Sequence, residues 1–248
     1  WEQISTLWLD VNGICPDIFQ LALDNDSDKI RWVLWLTKSE YVVGHFDGRH
    51  FIPETDVRQC YDGRMKPRGS LYAARTFHNT PNAPDRQISI AWFSQNFTGM
   101  PFNQALSFPV ELSLKTTEKG PSIYFKPVQQ IRMLHQKSVV HNDVRLEDST
   151  VCVPGIAGDL YHIKLTFQPG NASQLGMLIR GVPVLCDLRT KTLICGNAQW
   201  PLQHINDACN LEILVDKNMI EAFAGNGAVY LPYGVHFDDH DHDVKLIA

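Results

Sequence analysis

The chain has 248 residues and a net charge of −5, with charged residues at 20% and apolar ones at 44%, the proportions of an ordinary globular protein long enough to bury a sizeable core. An acidic balance without a concentrated basic face argues against a nucleic-acid partner, and the densest Lys/Arg stretch, "DGRMKPRGS", reads as a solvated loop. No run of about 18 apolar residues occurs, so no spanning helix and no membrane partner are expected.

Helical periodicity is almost absent. Short β-branched and aromatic runs dominate, broken by Gly, Pro, Asn and Asp every eight to twelve residues, which predicts an all-β chain. The first part offers "DIFQLAL", "IRWVLWLT", "YVVGHF", "LYAARTF", "ISIAWFS" and "FPVELSLK" as strands. Trp32 and Trp35, three apart in one of them, are expected on opposite faces. A boundary falls in "PVQQIRMLHQKS", giving residues 1–127, a linker at 128–138, and residues 139–248. The last part offers "YHIKLTFQ", "LGMLIRG", "VPVLCDL", "TLICG", "LEILVD", "MIEAFAG" and "VKLIA", with the clean alternation of a sheet buried on one face, and reads as a β-sandwich.

Six cysteines show no CxxC spacing, which argues against a zinc ribbon. A tight turn at Thr190-Lys191 would set Cys186 and Cys195 opposite each other, as a disulfide or, the favoured reading, as two buried thiols. Three N-x-S/T sequons, at Asn25, Asn96 and Asn171, are no more than chance supplies. In the tail "HFDDHDHD", His236, His240 and His242 alternate with Asp238, Asp239, Asp241 and Asp243. Such a stretch binds metal adventitiously, but a loop gives no sign of the packing a structural site needs, so no metal and no cofactor are expected. The chain begins at Trp1 without an initiator Met and is read as a mature or truncated form.

Four segments, in order, carry a resemblance to glycoside hydrolase family 32, the invertase, levanase and inulinase family. "GICPDIFQL" resembles its glutamate-cysteine-proline-aspartate motif. "LYAARTFHNTP" resembles its tyrosine-alanine-alanine-glutamine-threonine-phenylalanine strand. "ISIAWFSQ" with "MPFNQALSFPVELSL" resembles its last blade and exit, and "LEILVDKNMIEAFAGNGAVYLPYG" the signature of its C-terminal sandwich. The resemblance implies the last two to three blades of a five-bladed β-propeller, residues 1–127, followed by the sandwich. It also implies an extracellular or periplasmic location, and fructans or fructose-containing oligosaccharides as partners.

The resemblance equally marks departures. The segments that bear the family's nucleophile (Asn-Asp-Pro-Asn-Gly) and a sugar-holding aspartate (Arg-Asp-Pro) occur nowhere in these 248 residues. The acid position is Ile14, which has no proton to give. Retaining glycosidases work with two carboxyl groups about 5–5.5 Å apart, and loss of proton donation costs about 10²–10⁴ in rate. Asp17 is expected to orient neighbours or hold sugar hydroxyls, facing away from positions 14 and 16 by strand alternation. Tyr72 and Trp92 match positions that line or border the family's sugar pocket, and Arg75 stands where the family has glutamine. Asp216 and Glu221 are candidates for a sugar site on the sandwich, against an ordinary turn and strand role. The leading expectation is a fructan-recognising protein that does not hydrolyse by itself. The alternatives are the C-terminal part of a β-fructosidase whose first blades lie upstream or in another chain, and a structural or interaction protein without sugar binding; the open propeller edge is expected to pair with a partner chain or with a second copy of this one.

Overall fold

The computed structural model describes residues 2–11, 14–61, 71–81, 86–97, 99–147, 150–156, 158–202, 209–238 and 240–248. The loop expected at 62–70 lies outside them. Two compact units form: Trp1–Asn96 with Phe102–Pro127, and Phe97–Pro101 with Val128–Ala248.

In the first unit the strands are β1 Asp17–Leu23, β2 Asp26–Trp35, β3 Glu40–Phe46, β4 Phe51–Pro53, β5 Arg58–Gln59, β6 Leu71–Thr76, β7 Gln87–Phe93, β8 Ala105–Leu106, β9 Val110–Thr117 and β10 Gly120–Pro127. They make two antiparallel groups, β1 to β4 and β6-β7-β9-β10, each with the makeup of a propeller blade. A single parallel pair, Leu23 with Leu114, links them into one ten-stranded sheet. Period-two alternation sets the core. Phe19, Leu21 and Leu23 of β1 are buried, and so are Val110, Leu112 and Leu114 of β9. Trp35, on β2, is 2% exposed and packs edge-on against Phe125 with ring centroids 6.0 Å apart. Trp32 faces the other way, against Phe46.

The second unit opens with a 3-10 helix, Gln129–Leu134, inside the expected linker. Its strands are β11 Thr150–Cys152, β12 Tyr161–Phe167, β13 Gln174–Ile179, β14 Val182–Asp187, β15 Thr192–Cys195, β16 Ala198–Pro201, β17 Cys209–Asp216, β18 Met219–Ala224, β19 Val229–Gly234 and β20 Val244–Ile247. A six-stranded sheet, β11-β20-β13-β14-β15-β16, packs on a four-stranded one, β12-β17-β18-β19. Met177, Ile179, Val184 and Leu193 from the first meet Ile213, Ile220, Ala222 and Leu231 from the second in one core.

Among the strands that escape the sequence pattern, four share one physical reason. β4, β10, β16 and β19 each contain proline, and each pairs on one side only among the described residues. Proline lacks an N–H and is tolerated where a strand has an open edge, so a residue that reads as a breaker here marks an edge. The hairpin expectation for the cysteines also changes. The β14–β15 loop is four residues long, so Cys186 pairs with Leu193 and Cys195 with Val184. The thiols are diagonal rather than opposite, and both are fully buried. Burial pushes the Cys195 thiol far up.

Candidate functional site

The site is built on the β6–β7 hairpin. Tyr72 pairs with Trp92 and Arg75 with Ile90, so Ala73 and Ala74 together oppose the single residue Ala91. Ala73 takes φ 48° and donates its N–H to the Thr37 carbonyl at 3.1 Å. This bulge is what puts Arg75 on the face of Tyr72; without it, residues three apart would point to opposite sides. Leu71, Ala74, Ala91 and Phe93 fill the reverse face and are buried. The outward face therefore collects Tyr72, Arg75, Ile90 and Trp92, extended by Leu106, which pairs with Trp92 from β8. Trp92 is 37% exposed and meets Tyr72 edge-on, with centroids 5.6 Å apart and planes at 88°.

β6 is tied to the start of β1 by two links. Arg75 Nη1 donates to the Pro16 carbonyl. Asp17 Oδ2 accepts the Thr76 N–H at 2.7 Å and the Thr76 hydroxyl at 3.0 Å, and His78 Nε2 stands 3.8 Å from Oδ1. Asp17 is 9% exposed and lines up with the buried Phe19. Its Oδ2 is thus spent on holding Thr76. The alternation argument for Ile14, Pro16 and Asp17 does not apply, because β1 starts at Asp17 and Cys15 breaks the chain direction with φ 52°. Ile14 lies before the strand and is 62% exposed.

Chemically, this face offers an indole with part of its surface free, a phenol braced against it, and a guanidinium anchored on the Pro16 carbonyl. An aromatic face suits the CH face of a sugar, and a guanidinium donates to hydroxyls. Thr76 and the Ala73 bulge were not singled out in the sequence. A Thr beside a charged residue and a pair of alanines give no local sign of either role.

The sandwich candidates end up in different settings. Asp216 is exposed at the β17–β18 turn, where Oδ1 accepts the Lys217 N–H at 2.7 Å. Glu221 is 0% exposed and accepts the Tyr230 hydroxyl at 2.6 Å. The tail is organised by Arg180, a residue the sequence did not flag. Arg180 takes φ 48° at the β13–β14 turn and is 5% exposed. It donates to the carbonyls of Asp241 and Asp238 at 2.8 and 3.1 Å and stands 3.3 Å from Asp159. His242 Nδ1 lies 3.4 Å from Asp159 as well. Asp239 lies outside the described residues. Among those described, no group of three or more His, Cys, Asp or Glu converges as a metal cluster.

No family model matches the chain. A levanase of Bacillus subtilis (strain 168) is 26% identical over 255 residues, covering 86% of this chain and 37% of that protein. The chain is similar to glycoside hydrolases of family 32. To the extracellular exo-inulinase of Aspergillus niger it is 23% identical over 265 residues, 88% of this chain and 48% of that enzyme. The crystal structure of the exo-inulinase from Aspergillus awamori superposes with a TM-score of 0.80 at 19% identity, over 100% of this chain and 57% of that one. The fold is therefore that of family 32, and the match corresponds to its C-terminal portion, last blades plus sandwich. The chain spans about a third to a half of the length of these curated relatives.

Proposed function

We propose that this chain recognises β-fructosides of the fructan and sucrose class and does not hydrolyse them by itself. The observation that carries this reading is an aromatic face, Tyr72 with Trp92, combined with an isoleucine at the acid position. Arg75 and Asp17 complete the face, Arg75 as donor to sugar hydroxyls and Asp17 by fixing Thr76 behind it. The relatives' names, levanase and exo-inulinase, support fructans as the ligand class. The word extracellular in one of them supports a secreted location.

Hydrolysis needs a proton donor, and Ile14 has none. It also needs a nucleophile, and the segment that bears it in the family does not occur in these residues. Asp17 is a poor substitute for either, since Thr76 draws its Oδ2 inward. Calorimetry with fructose, sucrose and short fructans, run beside a fructose-release assay, tests the reading. Binding without release supports it. Release overturns the non-hydrolytic part, and absence of binding at millimolar sugar returns the chain to a structural or interaction role.

A second reading has a specific observation in its favour: the chain covers only part of each relative's length. In it, these residues supply the last blades of a catalytic propeller whose other blades lie upstream or in another chain. Restored fructose release on adding that portion supports it.

A further inference from the structure

A cluster that the sugar reading does not use lies on β12 and at the end of the 3-10 helix. His162 Nε2 stands 2.8 Å from Glu212 Oε1 on the paired strand β17, and Lys164 Nζ reaches the same oxygen at 3.0 Å. Glu212 Oε1, which also receives the Lys164 ammonium, is the acceptor toward both side chains. An ionised carboxylate only accepts, so His162 carries its proton on Nε2, and in the neutral ring Nδ1 is a bare lone pair. That lone pair faces His135 Nε2 at 3.0 Å, with ring centroids 5.0 Å apart and planes at 67°. The His162 side chain is 7% exposed, whereas His135 is exposed.

A histidine that gives one N–H to a carboxylate and presents its other nitrogen is the form in which proteins offer imidazole to a metal. Two nitrogens held at about 2.0–2.1 Å from one ion stand roughly 2.9–3.4 Å apart, for angles from about 90° to tetrahedral. The observed 3.0 Å falls inside that span. We propose that His135 Nε2 and His162 Nδ1 form a site for a borderline-soft divalent ion such as Zn²⁺ or Ni²⁺, with Glu212 behind His162 and solvent completing the coordination. Without the ion, His135 donates its Nε2–H to His162. With it, His135 carries its proton on Nδ1 instead, and the neutral pair needs only this tautomer change. Lys164 offsets the Glu212 charge, so attraction rests on the two nitrogens. That selects against Mg²⁺ and Ca²⁺, which want oxygen. The ion would tie the segment after Leu134 to strand β12, and all of these residues lie in the second unit.

The test uses tag-free chain in a Cys15→Ser, Cys152→Ser background, because both thiols are exposed and compete for such ions. After EDTA treatment it is titrated with ZnCl₂, NiCl₂ and MgCl₂ by calorimetry. The expected result is one Zn²⁺ or Ni²⁺ per chain and no Mg²⁺. Glu212→Gln lowers the affinity about 10–100-fold, and His135→Ala lowers it further. The double variant His240→Ala, His242→Ala leaves it unchanged, which separates this site from the tail. Long-range ¹H–¹⁵N spectra move at His135 Nε2 and His162 Nδ1 on adding Zn²⁺. Absence of binding, binding that survives His135→Ala, or binding lost in the tail variant overturns the proposal.

Discussion

Replacing Trp92 by Ala probes the aromatic face most sharply, because its effect on sugar affinity can be worked out from the exposed area. The residue is 37% exposed, and a Trp side chain offers about 250 Å² in all, which leaves roughly 90 Å² for a ligand. At about 25 cal/mol per Å² the upper bound is about 2 kcal/mol. A fructosyl ring covers only part of that area, so a loss of about 1–2 kcal/mol is expected, which is about a 5–30-fold rise in Kd. The reverse face, with Leu71 and Phe93, is untouched, and the lost edge contact with Tyr72 costs about 0.5–1.5 kcal/mol of stability. The variant therefore stays folded. Calorimetry of wild type and Trp92→Ala with the same fructo-oligosaccharide, after matching circular dichroism spectra, gives the comparison. An unchanged Kd in a folded variant refutes the placement of the sugar on this face.

Asp17→Ala removes the acceptor of the Thr76 N–H and hydroxyl, and a buried donor left unpaired costs about 1–3 kcal/mol, readable as a lower urea midpoint. Gly196→Ala sets a Cβ 2.2 Å from Tyr233 Cζ at a φ of +58°, so left-handed strain and overpacking together cost about 2–5 kcal/mol; a melting temperature equal to wild type would contradict this. Asp187 accepts the Thr190 N–H at 2.8 Å and a Gln174 N–H at 2.9 Å, and these bonds hold its pKa at about 2 against an ordinary 3.8. A depressed folded-state pKa stabilises above the unfolded value and fades as pH falls through the folded one. Asp187→Asn should therefore be less stable than wild type at neutral pH, and thermal melts should show the gap closing between about pH 4 and pH 2.

Much of the fold was legible because one face of most strands is buried. Period two is plain in "DIFQLAL", whose Phe19, Leu21 and Leu23 turn inward. What stayed hidden depends on pairing. Pro121 in β10 and Pro232 in β19 look like breakers until their strands prove to be edges. The side on which Arg75 lies is set by an extra residue opposite Ala91, and counting along the strand gives the wrong face. The four-residue loop before β15 slides Cys186 past Cys195 by one diagonal step. At the site, Tyr72 and Trp92 were named from the resemblance, and their contact needed the register. The role of Thr76 depends on Asp17, 59 residues earlier, which no local pattern reveals. Burial of Glu221 is equally nonlocal, since "VDKNMIEAF" reads the same whether its carboxylate is open or sealed.

The account stands on a sugar-binding surface separated from the carboxyl pair that would cleave the sugar. Incubating the purified chain with levan, inulin and sucrose, and following free fructose over many hours, addresses this directly. The expected reading is fructose release at the buffer rate. Steady release that scales with the amount of chain and persists through repurification would contradict it.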